Sequence, residues 1–155
     1  MALLRVPISV DGPVVDLGIW IPPTMRRALV AYRRPIPPPQ TIRALIDTGA
    51  NRTAIHPSAL ALIVSSPTGT ILVRRPGSPA AAARVDLHDV RLAFGGATAS
   101  PMRGPWVEIE SAAVVPADPG VLALIGRDML AHCRSFTTGQ KAICSWSIKA
   151  STWFD

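Results

Sequence analysis

The sequence predicts a mainly β fold in a single domain that spans residues 1–155. Short apolar runs recur along the chain, and turn sequences rich in glycine, proline and aspartate separate them. Apolar spacings of three and four residues, which are typical of amphipathic helices, occur only in short segments. The length of 155 residues fits one domain, and an apolar content of 48% suffices for one buried core.

The first predicted strands form a hairpin and then lead into a polar motif. Asp11-Gly12 is typical of a tight hairpin turn, and it separates the first two apolar runs. The third run ends directly at Asp47. These three predicted strands cover residues 4–10, 13–21 and 41–46.

Residues 22–40 interrupt the β pattern with a predicted helix and a proline tract. Thr24 is the predicted N-cap of a helix over about 24–34. Proline cannot continue a helix, so the tract at 35–39 ends it. We interpret the segment as a helical insertion that serves packing or contact with a partner. The apolar side chains that share one face of this helix are Met25, Ala28, Leu29 and Tyr32.

The rest of the chain alternates between predicted strands and short helical segments. A turn sequence, Pro76-Gly77-Ser78-Pro79, separates two of the strands, and Thr137-Thr138-Gly139-Gln140 separates the last two. The predicted strands cover residues 53–55, 70–75, 82–94, 106–115, 122–125, 134–136 and 141–148. The predicted helices cover residues 57–64 and 127–132.

The last hairpin sets the relation between the two cysteines. A turn centred between Thr138 and Gly139 would place residues whose numbers sum to 277 opposite each other, which pairs Cys133 with Cys144. Two interpretations are open, a disulfide or two small buried thiols in a reducing compartment, and two cysteines alone favour the thiols.

The charge of the chain favours neither nucleic acid nor membrane as a partner. The net charge is +6, but only eight aromatic residues are available to stack on bases, so we expect a solvated basic face. An acidic partner or substrate stays an open alternative. The apolar stretch at 59–64 is far shorter than the ~20 residues that a bilayer requires. An apolar start that breaks at Arg5 is not typical of a signal peptide, and we expect a cytoplasmic protein.

Other common kinds of site find no support in the sequence. The three histidines, His56, His88 and His132, lack the spacing of metal ligands, so neither a metal site nor a cofactor is predicted. No serine lies in a nucleophile elbow, and no phosphate-binding loop is present.

Two short motifs carry the chemical information. The first is the strand that delivers Asp47 into Thr48-Gly49-Ala50, where a carboxylate in a tight turn is either functional or a capping group. The second is Ala123-Leu124-Ile125-Gly126, followed by Arg127-Asp128 and a short helical pattern. In combination and in this order, they resemble the motifs of the retropepsins, the single-domain aspartic proteases of retroviruses and their cellular and bacterial relatives.

The resemblance covers about residues 41–146 and implies both a fold and an activity. The fold would be a closed, barrel-like β domain with one short C-terminal helix and the helical insertion near 24–34. Aspartic proteolysis uses two carboxylates about 3 Å apart that share one proton. No other aspartate of the chain is followed by Thr-Gly or Ser-Gly, so a second copy would supply the second carboxylate across a two-fold axis.

The predicted function is therefore that of an aspartic endopeptidase, active as a homodimer, in which Asp47 of each copy is catalytic. Its partners are a second copy of itself and a peptide or protein substrate. The alternative is a non-catalytic member of the same fold that binds peptide or protein.

By the same resemblance, neighbouring residues acquire roles. Thr48 would donate a hydrogen bond across the axis, Gly49 would allow close backbone approach, and Ala50 would leave space for substrate. Residues 70–85 would form a flap over the substrate or else an ordinary surface loop. The residues implied to pack behind the Asp47 loop are Leu124, Ile125 and Gly126, and those at the flap tip are Pro76, Gly77 and Ser78.

Two further expectations concern contacts of the chain. Retroviral members often carry an acidic residue where this chain has Asn51, so Arg127 is expected to find another partner, such as Asp128 or a backbone carbonyl. Residues 3–8 and 143–148 are expected to interleave with those of a second copy.

Overall fold

The computed structural model describes residues 2–9, 12–74, 82–96, 103–111, 120–131, 133–138 and 141–146. Regular structure in these ranges comprises ten strands and three short helices. The strands are β1 (Ala2–Ser9), β2 (Gly12–Trp20), β3 (Gln40–Ile46), β4 (Ala54–Ile55), β5 (Gly69–Val73), β6 (Ala83–Phe94), β7 (Arg103–Ser111), β8 (Val121–Ile125), β9 (Cys133–Thr138) and β10 (Lys141–Trp146). The helices are α1 (Pro23–Ala31), α2 (Pro57–Leu62) and α3 (Arg127–Leu130).

The strands pair in one curled sheet in the order β5-β6-β7-β4-β8-β3-β2-β1-β10-β9. Strand β6 pairs with β7 along most of its length, and its last residues also pair with β2. Because one strand joins two distant parts of the ladder, the sheet curls into a half-barrel. The mainly β class predicted from the sequence is confirmed.

A parallel pair at the centre of the sheet brings two loops together. Strands β3 and β8 run parallel, with Leu45 opposite Leu124 and Ile46 opposite Ile125. Parallel strands end at the same edge of a sheet. The residues after Ile46 and after Ile125 therefore meet at one place, although about 80 residues separate them along the chain.

The core is built from alternate residues of the strands. In β8, Val121, Ala123 and Ile125 are buried, while the two leucines between them are partly exposed. Helix α3 adds Met129 to the core. The largest fully buried apolar side chains of the described residues include Leu17, Ile19, Ile55, Ile63, Leu92, Phe94 and Ile109.

Helix α1 differs from its sequence prediction at both ends. It begins at Pro23 with Pro22 as N-cap and without a side-chain cap, so the assignment of Thr24 as N-cap was wrong. The first helical position suits proline, because its missing N–H would have had no partner there. Only Met25 and Leu29 of the expected apolar face pack against the core, and Ala28 is exposed. Tyr32, the C-cap residue after Ala31, is 79% exposed.

The first hairpin of the chain is present as predicted, while the last one corrects a predicted register. Strands β1 and β2 pair antiparallel, with Ile8 opposite Pro13 and Ser9 opposite Gly12, so Gly12 is a paired strand residue and not part of the turn. In the last hairpin, however, Cys133 lies opposite Trp146 and Cys144 lies opposite Ser135. Paired residue numbers sum to 279 rather than 277, since the strands close at Thr138 and Lys141. The expected Cys133–Cys144 pairing across the hairpin was therefore wrong.

The segment predicted to form a flap is only partly described. Strands β5 and β6 pair antiparallel, from Gly69 opposite Leu87 to Val73 opposite Ala83. The predicted tip residues Pro76, Gly77 and Ser78 lie outside the described residues.

In the ranges described, no helix is long and apolar enough to cross a bilayer.

Candidate active site

Asp47 follows β3 directly and begins a tight loop. Its backbone N–H donates a hydrogen bond of 3.0 Å to the carbonyl oxygen of Ile125, and its own carbonyl oxygen accepts one of 3.3 Å from the N–H of Ala50. The Gly49 N–H donates a 2.8 Å hydrogen bond to Oδ1 of Asp47. The loop therefore orients the Asp47 carboxylate through one oxygen, while the side chain stays partly exposed.

The outer side of this loop faces solvent within the single chain. Thr48 and Gly49 are exposed, and Ala50 is partly exposed. A Cβ atom at Gly49 would lie 3.1 Å from Oδ1 of Asp47. A larger residue there would press on the carboxylate, so glycine at position 49 leaves the orientation of Asp47 undisturbed.

The second motif packs against the far end of the same loop. Gly126 is buried, and a Cβ atom there would lie 2.5 Å from the carbonyl oxygen and 2.9 Å from the amide nitrogen of Arg52. Real Cβ atoms do not approach backbone atoms so closely. Only glycine therefore allows the end of β8 to lie against the chain at residue 52.

A partly buried network that the sequence prediction missed joins Gly126 and Asp128 of the second motif to Thr53, which follows the Asp47 loop. Asp128 accepts hydrogen bonds from Thr53 through both carboxylate oxygens, at 2.9 Å from the backbone N–H and 2.7 Å from the hydroxyl. It also accepts a 2.7 Å bond from the Met129 N–H. The Thr53 Oγ1 accepts a 3.1 Å bond from the Gly126 N–H, and Thr53 is fully buried. The only sequence signal is an acidic residue in the first turn of α3.

Arg127 also contacts the Asp47 loop, with a partner that differs from the expected ones. Its guanidinium donates a hydrogen bond to Oδ1 of Asn51. Its backbone N–H donates to the Ala50 carbonyl oxygen at 2.9 Å, and the Asp128 N–H donates to the Asn51 carbonyl oxygen at 3.3 Å. The side chain of Asn51 retains an acceptor oxygen, so the arginine needs neither the Asp128 carboxylate nor a backbone carbonyl.

The structure thus brings together most of the residues that the sequence singled out. Asp47, Thr48, Gly49 and Ala50 form one loop, and Ile125 and Gly126 contact its two ends. Leu124 lies on β8 opposite Leu45 of β3. No group of three or more metal-ligating side chains occurs among the described residues. The loop presents a partly exposed carboxylate on a rigid support.

His88 is the buried titratable side chain of the described residues. It lies on β6, is 6% exposed, and its Nδ1 is 3.0 Å from Oγ of Ser65. Burial lowers the pKa of His88 from its ordinary value of 6.5, and the Asp86 carboxylate opposes part of that shift. The neutral ring is therefore the favoured form in the folded chain.

Comparison with solved structures finds the same fold in a known enzyme. The chain is similar to the crystal structure of a retropepsin-like aspartic protease from Rickettsia conorii, with a TM-score of 0.56 and 11% sequence identity. The match covers 92% of this chain and 90% of that one. Similarity at so low an identity shows the fold alone, which is retropepsin-like. No family model and no curated protein matches the sequence.

Proposed function

We propose that the chain is an aspartic endopeptidase that works as a homodimer. The observation that carries the proposal is the partly exposed Asp47 carboxylate, oriented by the Gly49 N–H at 2.8 Å on a loop within a retropepsin-like fold. One carboxylate is half of what aspartic proteolysis needs. A second copy of the chain, related by a two-fold axis, supplies the other half.

The proposed reaction takes place between the two Asp47 side chains. Two carboxylates about 3 Å apart cannot both ionise, so they share one proton. The ionised carboxylate takes a proton from a bound water, whose oxygen attacks the carbonyl carbon of the scissile peptide bond. The other carboxyl group donates its proton to the carbonyl oxygen. When the tetrahedral intermediate breaks down, the carboxyl group that took the water's proton gives it to the leaving nitrogen, and the C–N bond breaks. The other carboxylate takes back the proton of one hydroxyl group, which restores the starting pair as the two products separate.

The rest of the loop supports the carboxylate in this proposal. Thr48 is exposed beside Asp47, where its hydroxyl donates a hydrogen bond to the second copy. Gly49 and Ala50 leave space for the substrate backbone. Residues 124–126 pack behind the loop, and residues 70–85 close over the substrate as a flap.

The same proposal includes a closed, barrel-like domain and a dimer formed through the terminal strands. The pairing of β6 with β2 supports a closed, barrel-like domain with α1 as an insertion. Within one chain, β1 pairs with β10 over residues 2–7 and 141–146. A second copy would extend this part of the sheet, so truncating residues 1–6 would also damage the chain's own sheet and is a poor test of the dimer.

The test compares Asp47→Asn with Asp16→Asn, a matched loss of one exposed carboxylate on β2. Cleavage of an unfolded protein such as reduced casein is measured from pH 3 to 8, with the assembly state measured by sedimentation. We expect wild type and Asp16→Asn to cleave as dimers, and Asp47→Asn to remain dimeric without cleavage. Undiminished cleavage by Asp47→Asn would refute the proposal. A dimer that never cleaves, or a chain that stays monomeric, would favour the non-catalytic binding protein.

A further inference from the structure

The first half of the chain carries a strongly one-sided distribution of charge. No acidic residue occurs between Asp16 and Asp47, while five arginines do. Four of them, Arg26, Arg27, Arg33 and Arg34, lie on α1 or directly after it, and all four are exposed. We call α1 together with the tract that follows it, residues 23–39, the arginine–proline segment.

Exposed apolar side chains are interspersed among these arginines. The segment contains Val30, Tyr32 and Ile36, which are 55%, 79% and 41% exposed. They are three of the six large apolar side chains that the described residues expose. Arginine and tyrosine are enriched at the centres of protein interfaces, where an apolar body combines with polar groups.

The backbone of the segment is held in one conformation. The Arg33 N–H donates to the carbonyl oxygen of Val30 at 3.1 Å, and the Arg34 N–H donates to that of Leu29 at 2.8 Å, which closes the end of α1. Four of the next five residues are prolines, each with a fixed φ. A surface already ordered in this way loses little conformational entropy when a partner binds.

We propose that the arginine–proline segment is a docking surface for an acidic segment of another protein. Guanidinium groups bind carboxylates with paired hydrogen bonds, and the apolar side chains between them fit apolar residues between the partner's acids. Prolines provide no backbone N–H, so the contact is made by side chains rather than by strand addition.

Two other anionic partners fit the segment less well. An anionic membrane needs a helix with a broad apolar face, but the apolar side chains Met25 and Leu29 of α1 are turned to the core. Single-stranded nucleic acid needs several aromatic side chains on which to stack, and the segment has only Tyr32.

The docking surface is separate from the candidate active site. Strand β3 begins at Gln40, next to the proline tract, and ends at Ile46, next to Asp47. At ~3.3 Å per residue, the strand holds the two sites roughly 20 Å apart. The inference does not depend on the peptidase proposal, and it is tested in the Asp47→Asn chain so that cleavage of the probe cannot interfere.

The experiment measures binding of a fluorescein-labelled sixteen-residue peptide, in which Glu and Asp alternate with Leu and Trp, by fluorescence anisotropy. We expect saturable binding, weakened about fivefold or more by Arg33→Gln or by Arg34→Gln. The matched control, Arg43→Gln, removes one exposed arginine of β3 outside the segment and is expected to weaken binding less than about twofold. Tyr32→Ser is expected to weaken binding by about fivefold, and Leu62→Ser, at an exposed apolar residue of α2, to leave it unchanged.

Each of the following results would overturn the proposal. No binding of the peptide at 1 mM would show that the surface does not take acidic protein segments. Equal weakening by Arg33→Gln and by Arg43→Gln would show a general charge effect. Binding of phosphatidylglycerol vesicles or of oligothymidine, without binding of the peptide, would assign the arginines to a membrane or to nucleic acid instead.

Discussion

The inner and outer sides of the Asp47 loop differ in how completely their polar groups are bonded within the chain. On the inner side, Thr53 and Asp128 are joined by two hydrogen bonds, and Thr53 also accepts one from Gly126. On the outer side, Thr48 and Gly49 are exposed, and the Asp47 carboxylate accepts a hydrogen bond from the Gly49 N–H of its own loop.

This contrast separates the polar groups that fix the conformation of the loop from those that are free to contact another molecule. Buried polar groups that are fully bonded fix a single conformation, because each broken bond leaves a group without water or partner. Exposed polar groups can bind something else. The chain therefore builds the support of the loop from its own residues and leaves the Asp47 carboxylate partly exposed, as the proposed peptidase requires.

The largest expected effect is that of Gly126→Ala on the inner side. The new methyl group has no space against the backbone of Arg52, so we expect a loss of about 3 kcal/mol or more in the free energy of unfolding, or no folded protein. Gly69→Ala is the control, because its Cβ would meet only a side-chain atom of Leu87 at 3.8 Å. Denaturant unfolding that ranks the two variants equally would contradict the close packing of the two motifs.

The next effect is that of Thr53→Val, which keeps the shape of the side chain and removes its hydroxyl. The Gly126 N–H and one oxygen of Asp128 then lose a hydrogen bond in a buried site, at a cost of about 2–4 kcal/mol in the free energy of unfolding. Thr70→Val on β5, where the side chain is exposed, is expected to change it by less than about 0.5 kcal/mol. Similar values for both variants would show that the network does not support the loop.

A smaller change in stability, with a large change in activity, is expected for Gly49→Ala on the outer side. The added methyl group meets the movable end of the Asp47 side chain, so the free energy of unfolding falls by less than about 1 kcal/mol. In the proposed peptidase the displaced carboxylate lowers kcat about tenfold or more. Thermal unfolding and cleavage rates are measured on the same sample. A variant that is fully active, or one that unfolds as readily as Gly126→Ala, would contradict the difference between the two sides.

The smallest expected effect is on the pH dependence of the free energy of unfolding, and it comes from His88 on β6. Because burial lowers the pKa of His88 in the folded chain, the unfolded chain binds a proton more readily. The free energy of unfolding is therefore expected to fall as the pH drops below about 6.5, and His88→Gln should reduce this decline. His56→Gln is the control that should retain it. If His88→Gln leaves the decline in the free energy of unfolding unchanged, protonation of His88 is not the cause of that decline.

The position of the Asp47 loop was predictable from sequence, but the Thr53–Asp128 network beside it was not. The apolar run of β3 ends at Asp47, and the run of β8 ends at Gly126, so local patterns alone place both residues at strand ends. The Thr53–Asp128 contact joins residues 75 positions apart, and it depends on the pairing of β3 with β8. No local pattern reports that pairing.

The errors of prediction have similar causes. The cysteine register depended on which residues close the last hairpin, and a shift of the turn by one residue moves every pair. Both Pro23 and Thr24 fit a helix start, and the choice between them depends on how the chain leaves β2. The apolar spacing also did not show that α1 ends at Ala31, one residue before Tyr32.

The central claim is that Asp47 is half of a site which a second copy completes. Its most direct test mixes wild-type chains with a tenfold excess of Asp47→Asn chains, refolds them together and measures cleavage per wild-type chain. The claim predicts that the rate falls about tenfold, because nearly every wild-type chain then pairs with a chain that lacks the carboxylate. A rate that depends only on the amount of wild-type chain, with the excess partner making no difference, would contradict it.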